Sequence, residues 1–158
     1  MSKSPTSDQI IDTLRLEPLP GEGGMWAQTW IDERSTGIYY LLLAGDFSAL
    51  HRLASMELYH YYGGAPAELV LLHADGSAET RMLGMDLAAG HRPAVVVESD
   101  TWQGSRTTGD WTLLGTTMAP PFDLECFELG DRKTLIDAYP SMAESIMSLT
   151  RAESEELR

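Results

Sequence analysis

Gly45-Asp46-Phe47-Ser48-Ala49-Leu50-His51-Arg52-Leu53-Ala54-Ser55-Met56-Glu57-Leu58-Tyr59-His60-Tyr61-Tyr62-Gly63-Gly64 is the stretch on which the fold turns. Glycines bracket two runs of strand length, Ser48 to Leu53 and Glu57 to Tyr62, joined by a short polar link. On such a strand-turn-strand unit, the imidazole of His51 and the carboxylate of Glu57 can point into one cavity. Both are common ligands for a divalent metal and both are candidate proton carriers. Strand side chains alternate between faces, so Tyr59 and Tyr61 share the face of Glu57, whereas His60 faces away with Leu58 and Tyr62. Arg52 alternates away from His51 and reads as a structural ion-pair residue.

Working outward, the same grammar repeats. Trp26 to Ile31 is aromatic and β-branched. Ile38 to Leu43 is a continuous apolar run, right for a buried strand. Ala67 to His73 and Glu79 to Leu83 flank Ala74-Asp75-Gly76-Ser77, whose Asp-Gly pair is a strong hairpin cue. Pro93 to Glu98, Trp102 to Arg106, Trp111 to Met118 and Phe122 to Glu128 complete the expected strands. Many short strands punctuated by Gly, Asp and Pro predict an all-β sandwich or barrel. No long helix interrupts them, which argues against parallel βαβ winding. Gly21-Glu22-Gly23-Gly24 reads as a flexible turn.

Short helices are expected at both ends. Thr6 and Gln9 form a capping box ahead of Ile10, Ile11 and Leu14. Asp131 can cap Arg132 to Ala138, and Ser141 to Glu144 offers a second box. Arg151 to Arg158 is charged and expected to fray. With 158 residues and no linker or repeat, one domain over 1–158 is expected, with a barrel core over about 14–140 and a helical tail over 141–158.

The formal charge is −13, from 24 acids against 11 Lys plus Arg, with no basic run. Such a field disfavours nucleic acid and anionic membranes as partners. The longest apolar stretch, Ile38 to Ala44, is too short to cross a bilayer, and no leader is evident, so a cytoplasmic location is expected. One cysteine, Cys126, excludes an internal disulfide framework; its acidic flanks work against a reactive thiolate. His73 before a turn and His91 in a loop are expected to be solvated. There is no Gly-x-Ser-x-Gly elbow and no Cys-x-x-Cys pair.

The central stretch resembles the first cupin motif, in which Gly, two histidines, Glu and Gly recur at these offsets. Gly45, His51, Glu57 and Gly64 are kept; Leu53 stands at the second histidine. The second motif opens at Gly90, and its Pro-x-Gly-x-x-His positions fall on Glu98 to Gln103, with Gln103 at the ligand position. Glu22 to Trp26, Tyr39 to Leu42, Phe47 to Arg52, Glu57 to Tyr62, Leu87 to Gly90, Thr101 to Gln103 and Ala119 to Asp123 together are similar to the narrower DUF985 or Cupin_5 family. The resemblance implies an all-β double-stranded β-helix, the jelly-roll barrel, usually a homodimer. It implies no settled activity.

A small-molecule pocket under His51, Glu57 and Gln103 follows, with Tyr59 and Tyr61 as ligand-binding walls. The metal ligands implied by the motifs reduce to His51, Glu57 and Gln103. An amide oxygen is a weak ligand, so a divalent metal is open but not favoured. Two functions from different classes remain. One is an isomerase or epimerase on a sugar-like substrate, with His51 as base and Glu57 orienting it or carrying charge, by analogy with other cupins. The other is a non-catalytic binding barrel with a decayed metal site.

Overall fold

The computed structural model describes residues 4–152. Its first element, α1 (Ser7–Leu14), starts at the expected box: Gln9 N–H donates to Thr6 Oγ1, and Thr6 N–H donates to Gln9 Oε1. Eleven strands follow among the described residues: β1 (Glu17–Pro18), β2 (Met25–Ile31), β3 (Thr36–Leu43), β4 (Ser48–Leu53), β5 (Glu57–Gly64), β6 (Ala67–Leu72), β7 (Ala78–Leu83), β8 (Ala94–Val97), β9 (Trp102–Thr107), β10 (Trp111–Met118) and β11 (Phe127–Leu129). The chain closes on α2 (Arg132–Ala138) and α3 (Ala143–Ser148). No helix among the described residues is long and apolar enough to cross a membrane.

Two antiparallel sheets form the jelly roll. One runs β1-β2-β3-β10-β5-β8, the other β11-β4-β9-β6-β7. Between them, Leu42, Leu69, Leu83 and Leu114 fill one end of the barrel, and Leu71 and Val97 extend the core beside the level of His51 and Glu57. Each fully buried aliphatic side chain contributes about 1.5–3 kcal/mol relative to exposure. The continuous apolar run of β3 has a direct cause. Its inward residues, Tyr40 and Leu42, meet the barrel core, while outward Leu41 is buried under Ile10 of α1 and Leu16. The outer face of the second sheet is likewise covered. Leu50 and Val70 pack beneath Leu135, Tyr139, Ile146 and Leu149, so the C-terminal helices belong to the packed body.

Strand β4 departs from simple alternation. Ser48 pairs with Ser105 and His51 with Gln103, so three steps on β4 answer two on β9. A bulge of this kind re-aims side chains. It turns Ser48, His51 and Leu53 to the inner face and leaves Leu50 on the outer one.

Three local expectations fail. Phe122 to Glu128 is not one strand: Asp123 Oδ1 accepts from Glu125 N–H and closes a 3₁₀ turn over Leu124–Cys126, leaving only β11 extended. Ser141 caps nothing, because Pro140 starts a 3₁₀ turn over Pro140–Met142 that runs straight into α3. Gly21 to Gly24 is pinned rather than free, as described below. Of the expected frayed end, residues 153–158 lie outside the described residues.

Candidate functional site

At the end of the barrel opposite the packed leucines, the two sheets enclose a cavity of about 330 Å³. The inward residues of β3 and β10 line it as Thr36, Ile38, Tyr40, Thr116 and Met118. His51 and Leu53 enter from β4, Glu57 and Tyr59 from β5. Trp26, Phe122 and Phe127 add aromatic walls.

His51 is buried and held on two sides. Its Nδ1 lies 2.7 Å from the Ala49 carbonyl, and its ring stacks on Phe127 with centroids 5.2 Å apart. A carbonyl can only accept, so Nδ1 carries the proton, and the neutral tautomer that this bond selects has its lone pair at Nε2. Nε2 faces a carboxylate that the sequence did not single out: Glu22 Oε1, at 3.9 Å. Ser48, swung inward by the bulge, donates to the same oxygen at 2.9 Å.

Glu22 arrives on the Gly21–Gly24 loop, which is tied down at every residue. Ala49 N–H donates to the Glu22 carbonyl at 2.7 Å, Gly24 N–H donates to Asp46 Oδ2, and Tyr40 Oη donates to the Gly23 carbonyl. Arg151 donates to the Gly21 and Glu22 carbonyls and pairs with Asp46. Gly24 has a positive φ of 76°, and a Cβ there would sit 2.5 Å from the Tyr40 hydroxyl. Glycine is therefore required by the close approach as well as by the backbone. The available signal was the acid set among glycines in the stretch that carried the family resemblance.

Glu57 is 7 % exposed, and its Oε2 has no hydrogen-bond partner. Burial pushes its carboxyl above the ordinary value; His51 opposes this, the Glu22 charge adds to it, and hydrogen bonds from Thr116 and Gln103 oppose it. Tyr59 and Tyr40 are held well above the usual tyrosine range, first by burial and then by these carboxylates. Both hydroxyls therefore stay protonated at neutral pH.

The structure thus brings His51, Glu57 and Tyr59 to one cavity. Gln103 stands opposite His51 in the ladder and supports Glu57, with its own Oε1 buried and unpartnered; it does not line the cavity. Tyr61 lies further along β5, packed against the filled core, with its hydroxyl donating to the Gly64 carbonyl. His60 faces outward, 3.1 Å from Thr117 Oγ1 and stacked with Tyr62. Arg52 pairs with Glu128 at 2.8 Å and lies over Trp102. The two remaining histidines are less solvated than expected: His73 pairs with Glu79 at 3.1 Å, and His91 Nδ1 is buried against Gly84 without a partner.

A tightly held metal does not fit this donor set. Leu53 offers no ligand atom, Gln103 lies outside the cavity wall, and no group of three or more His, Cys, Asp or Glu among the described residues could hold an ion.

A family model, Cupin_5: Cupin superfamily (DUF985), matches residues 8–130. The match starts earlier and stops earlier than the barrel core expected from sequence, leaving α2 and α3 beyond it. A crystal structure of a protein from Shewanella oneidensis is similar at 30 % identity and a TM-score of 0.88, over 95 % of this chain and all of that one. A hypothetical protein from Leishmania major follows at 22 % identity and 0.87, over 94 % of this chain and 100 % of that one. A cupin 2 conserved barrel domain protein from Rhodopseudomonas palustris shares the fold at 14 % identity and 0.59, over 85 % and 83 % of the two chains. No curated protein matches.

Proposed function

Because this chain belongs to the Cupin_5 (DUF985) family of the cupin superfamily, we propose that its cavity is a small-molecule site working by proton transfer, as an isomerase or epimerase on a sugar-like substrate. The observation that carries this is the fixed imidazole. With Nδ1 committed to the Ala49 carbonyl, Nε2 is a positioned base inside a cavity large enough for a small ligand. His51 takes a proton from a carbon next to a carbonyl, and the electron pair moves onto the carbonyl oxygen. Glu22, 3.9 Å away, stabilises the imidazolium that forms. In epimerisation the electron pair then returns from the oxygen as the same carbon takes up a proton on its opposite face from the Tyr59 hydroxyl. That hydroxyl regains its proton from solvent, while His51 gives its own back to it. Isomerisation differs in passing a proton between the two substrate oxygens and protonating the neighbouring carbon. Glu57 anchors the substrate through its unpartnered oxygen. No oxidant is consumed.

The test is hydrogen exchange in heavy water. A panel of aldoses, ketoses and amino sugars incubated with the protein should gain deuterium at a carbon-bound position, read by NMR. His51→Asn should slow that exchange by about 10²–10⁴-fold. Exchange that is absent for the whole panel, or unchanged in the variant, would overturn the catalytic reading.

The apolar side of the cavity, with Ile38, Leu53, Met118, Phe122 and Phe127, favours a second reading: a binding barrel without chemistry. Saturable binding of a panel member with no exchange would select it. Two further proposals accompany either reading. A second copy pairs on the outer edge of β2, where β1 covers only Met25 and Trp26 and leaves Trp30 and Ile31 exposed. A monomer by light scattering at micromolar concentration would rule this out. A cytoplasmic location, in keeping with the single cysteine, is checked by cell fractionation.

A further inference from the structure

We infer that the ligand of this cavity carries a protonated amine on a small hydroxylated skeleton, as an amino sugar or amino polyol does, and carries no phosphate. The inference rests on the reading of the cavity as a ligand site, and it narrows the substrate class. Two carboxylates, Glu22 and Glu57, line the cavity, and no Lys or Arg is among its lining residues. The basic residues nearby are engaged elsewhere. Arg151 is spent on the Gly21, Glu22 and Phe47 carbonyls and on Asp46, and Arg52 pairs with Glu128 on the far side of β4.

Glu57 makes the requirement specific. It is more than nine-tenths buried, yet Oε2 has no partner within the protein. A buried carboxylate is costly unless it is paired. An ammonium group from the ligand supplies that pair, and its remaining N–H donors suit Glu22. Around them stand the rings of Trp26, Tyr40, Tyr59, Phe122 and Phe127, surfaces that attract organic cations. The hydroxyls of Thr36 and Thr116 and the amide of Gln28 offer partners for a polyol. A phosphorylated or nucleotide-linked sugar meets two carboxylates here against the single imidazole of His51 and no Lys or Arg, and the overall charge of −13 repels it further.

Calorimetric titration of the full chain with four matched probes tests this: D-glucosamine, D-glucose, N-acetyl-D-glucosamine and D-glucose 6-phosphate. Glucosamine should bind at least about tenfold tighter than glucose or its N-acetyl derivative, with no detectable binding of the phosphate. Glu57→Gln should erase the preference for the amine while leaving weak glucose binding. Glu22→Gln, on the surface loop, should reduce it and guards against a folding failure of the first variant. Equal binding of the amine and neutral probes, or preferred binding of the phosphate, overturns the inference and leaves the sugar-pocket reading intact. Binding of none of the four overturns both. Manganese chloride binding alone at one ion per chain and displacing glucosamine would assign the acids to an inorganic cation, and would also overturn it.

Discussion

The two ends of the barrel are built from the same strands by the same rule and do opposite things. Inward along β3, Leu42 belongs to the packed end while Ile38 and Thr36 line the cavity. Along β10 the corresponding sequence is Leu114, then Thr116 and Met118. Tyr40 and Tyr59 sit at the border and belong to both. Parity decides which side chains face inward. Height along the strand then decides whether a residue meets a dry leucine layer or a space shared with His51, Glu57 and Glu22. The packed end supplies the rigidity on which a positioned imidazole depends.

The sharpest way to break this comparison is to hollow out the packed end. Leu114→Ala should cost about 2–5 kcal/mol, lowering the melting temperature by roughly 2–4 °C per kcal/mol for a chain of this size. A loss below about 1 kcal/mol in thermal unfolding would show that this end is not the close-packed layer described.

Glu57 probes the open end in the opposite direction. Its folded pKa lies above its unfolded one, through burial first, against the pull of His51. The penalty for the buried charge is therefore absent below the unfolded value, and stability is lost as pH rises through the raised folded value. Glu57→Gln removes that loss. The variant should gain on the wild type in melting temperature as pH rises from below the ordinary glutamate value, about 4.3, to neutral. A difference that stays constant over that range would contradict the account.

The smallest effect belongs outside the barrel. Arg52 and Glu128 are both well exposed, so Arg52→Ala should change stability by no more than about 1 kcal/mol and leave ligand binding untouched. A loss of binding would place Arg52 in the site.

The sequence made one half of the site legible and hid the other, for physical reasons. His51, Glu57 and Tyr59 were recoverable because strand alternation and motif spacing both act locally along β4 and β5. The strand Ser48–Leu53 matches the expected bounds, as does Trp111–Met118, while β5 runs two residues past the expected Tyr62 to Gly64. Tyr61 shares the parity of Tyr59 but not its height, and parity carries no information on where a cavity ends. Glu22 lies 29 positions before His51, and its approach depends on long-range ties from Tyr40, Ala49 and Arg151. A glycine-rich segment read alone looks flexible. The bulge that turns Ser48 toward Glu22 leaves no composition signal either, since Ser48-Ala49-Leu50 would suit an unbroken strand equally well.

Proton transfer through His51 stands or falls on the tautomer of its ring. Long-range proton–nitrogen NMR on protein labelled in the histidine rings reads it without any knowledge of the substrate. Neutral His51 is expected to carry its proton on Nδ1, bonded to the Ala49 carbonyl, with a lone pair at Nε2. A proton found on Nε2 instead would mean that the ring presents no base to the cavity, and the proton-transfer reading would fall.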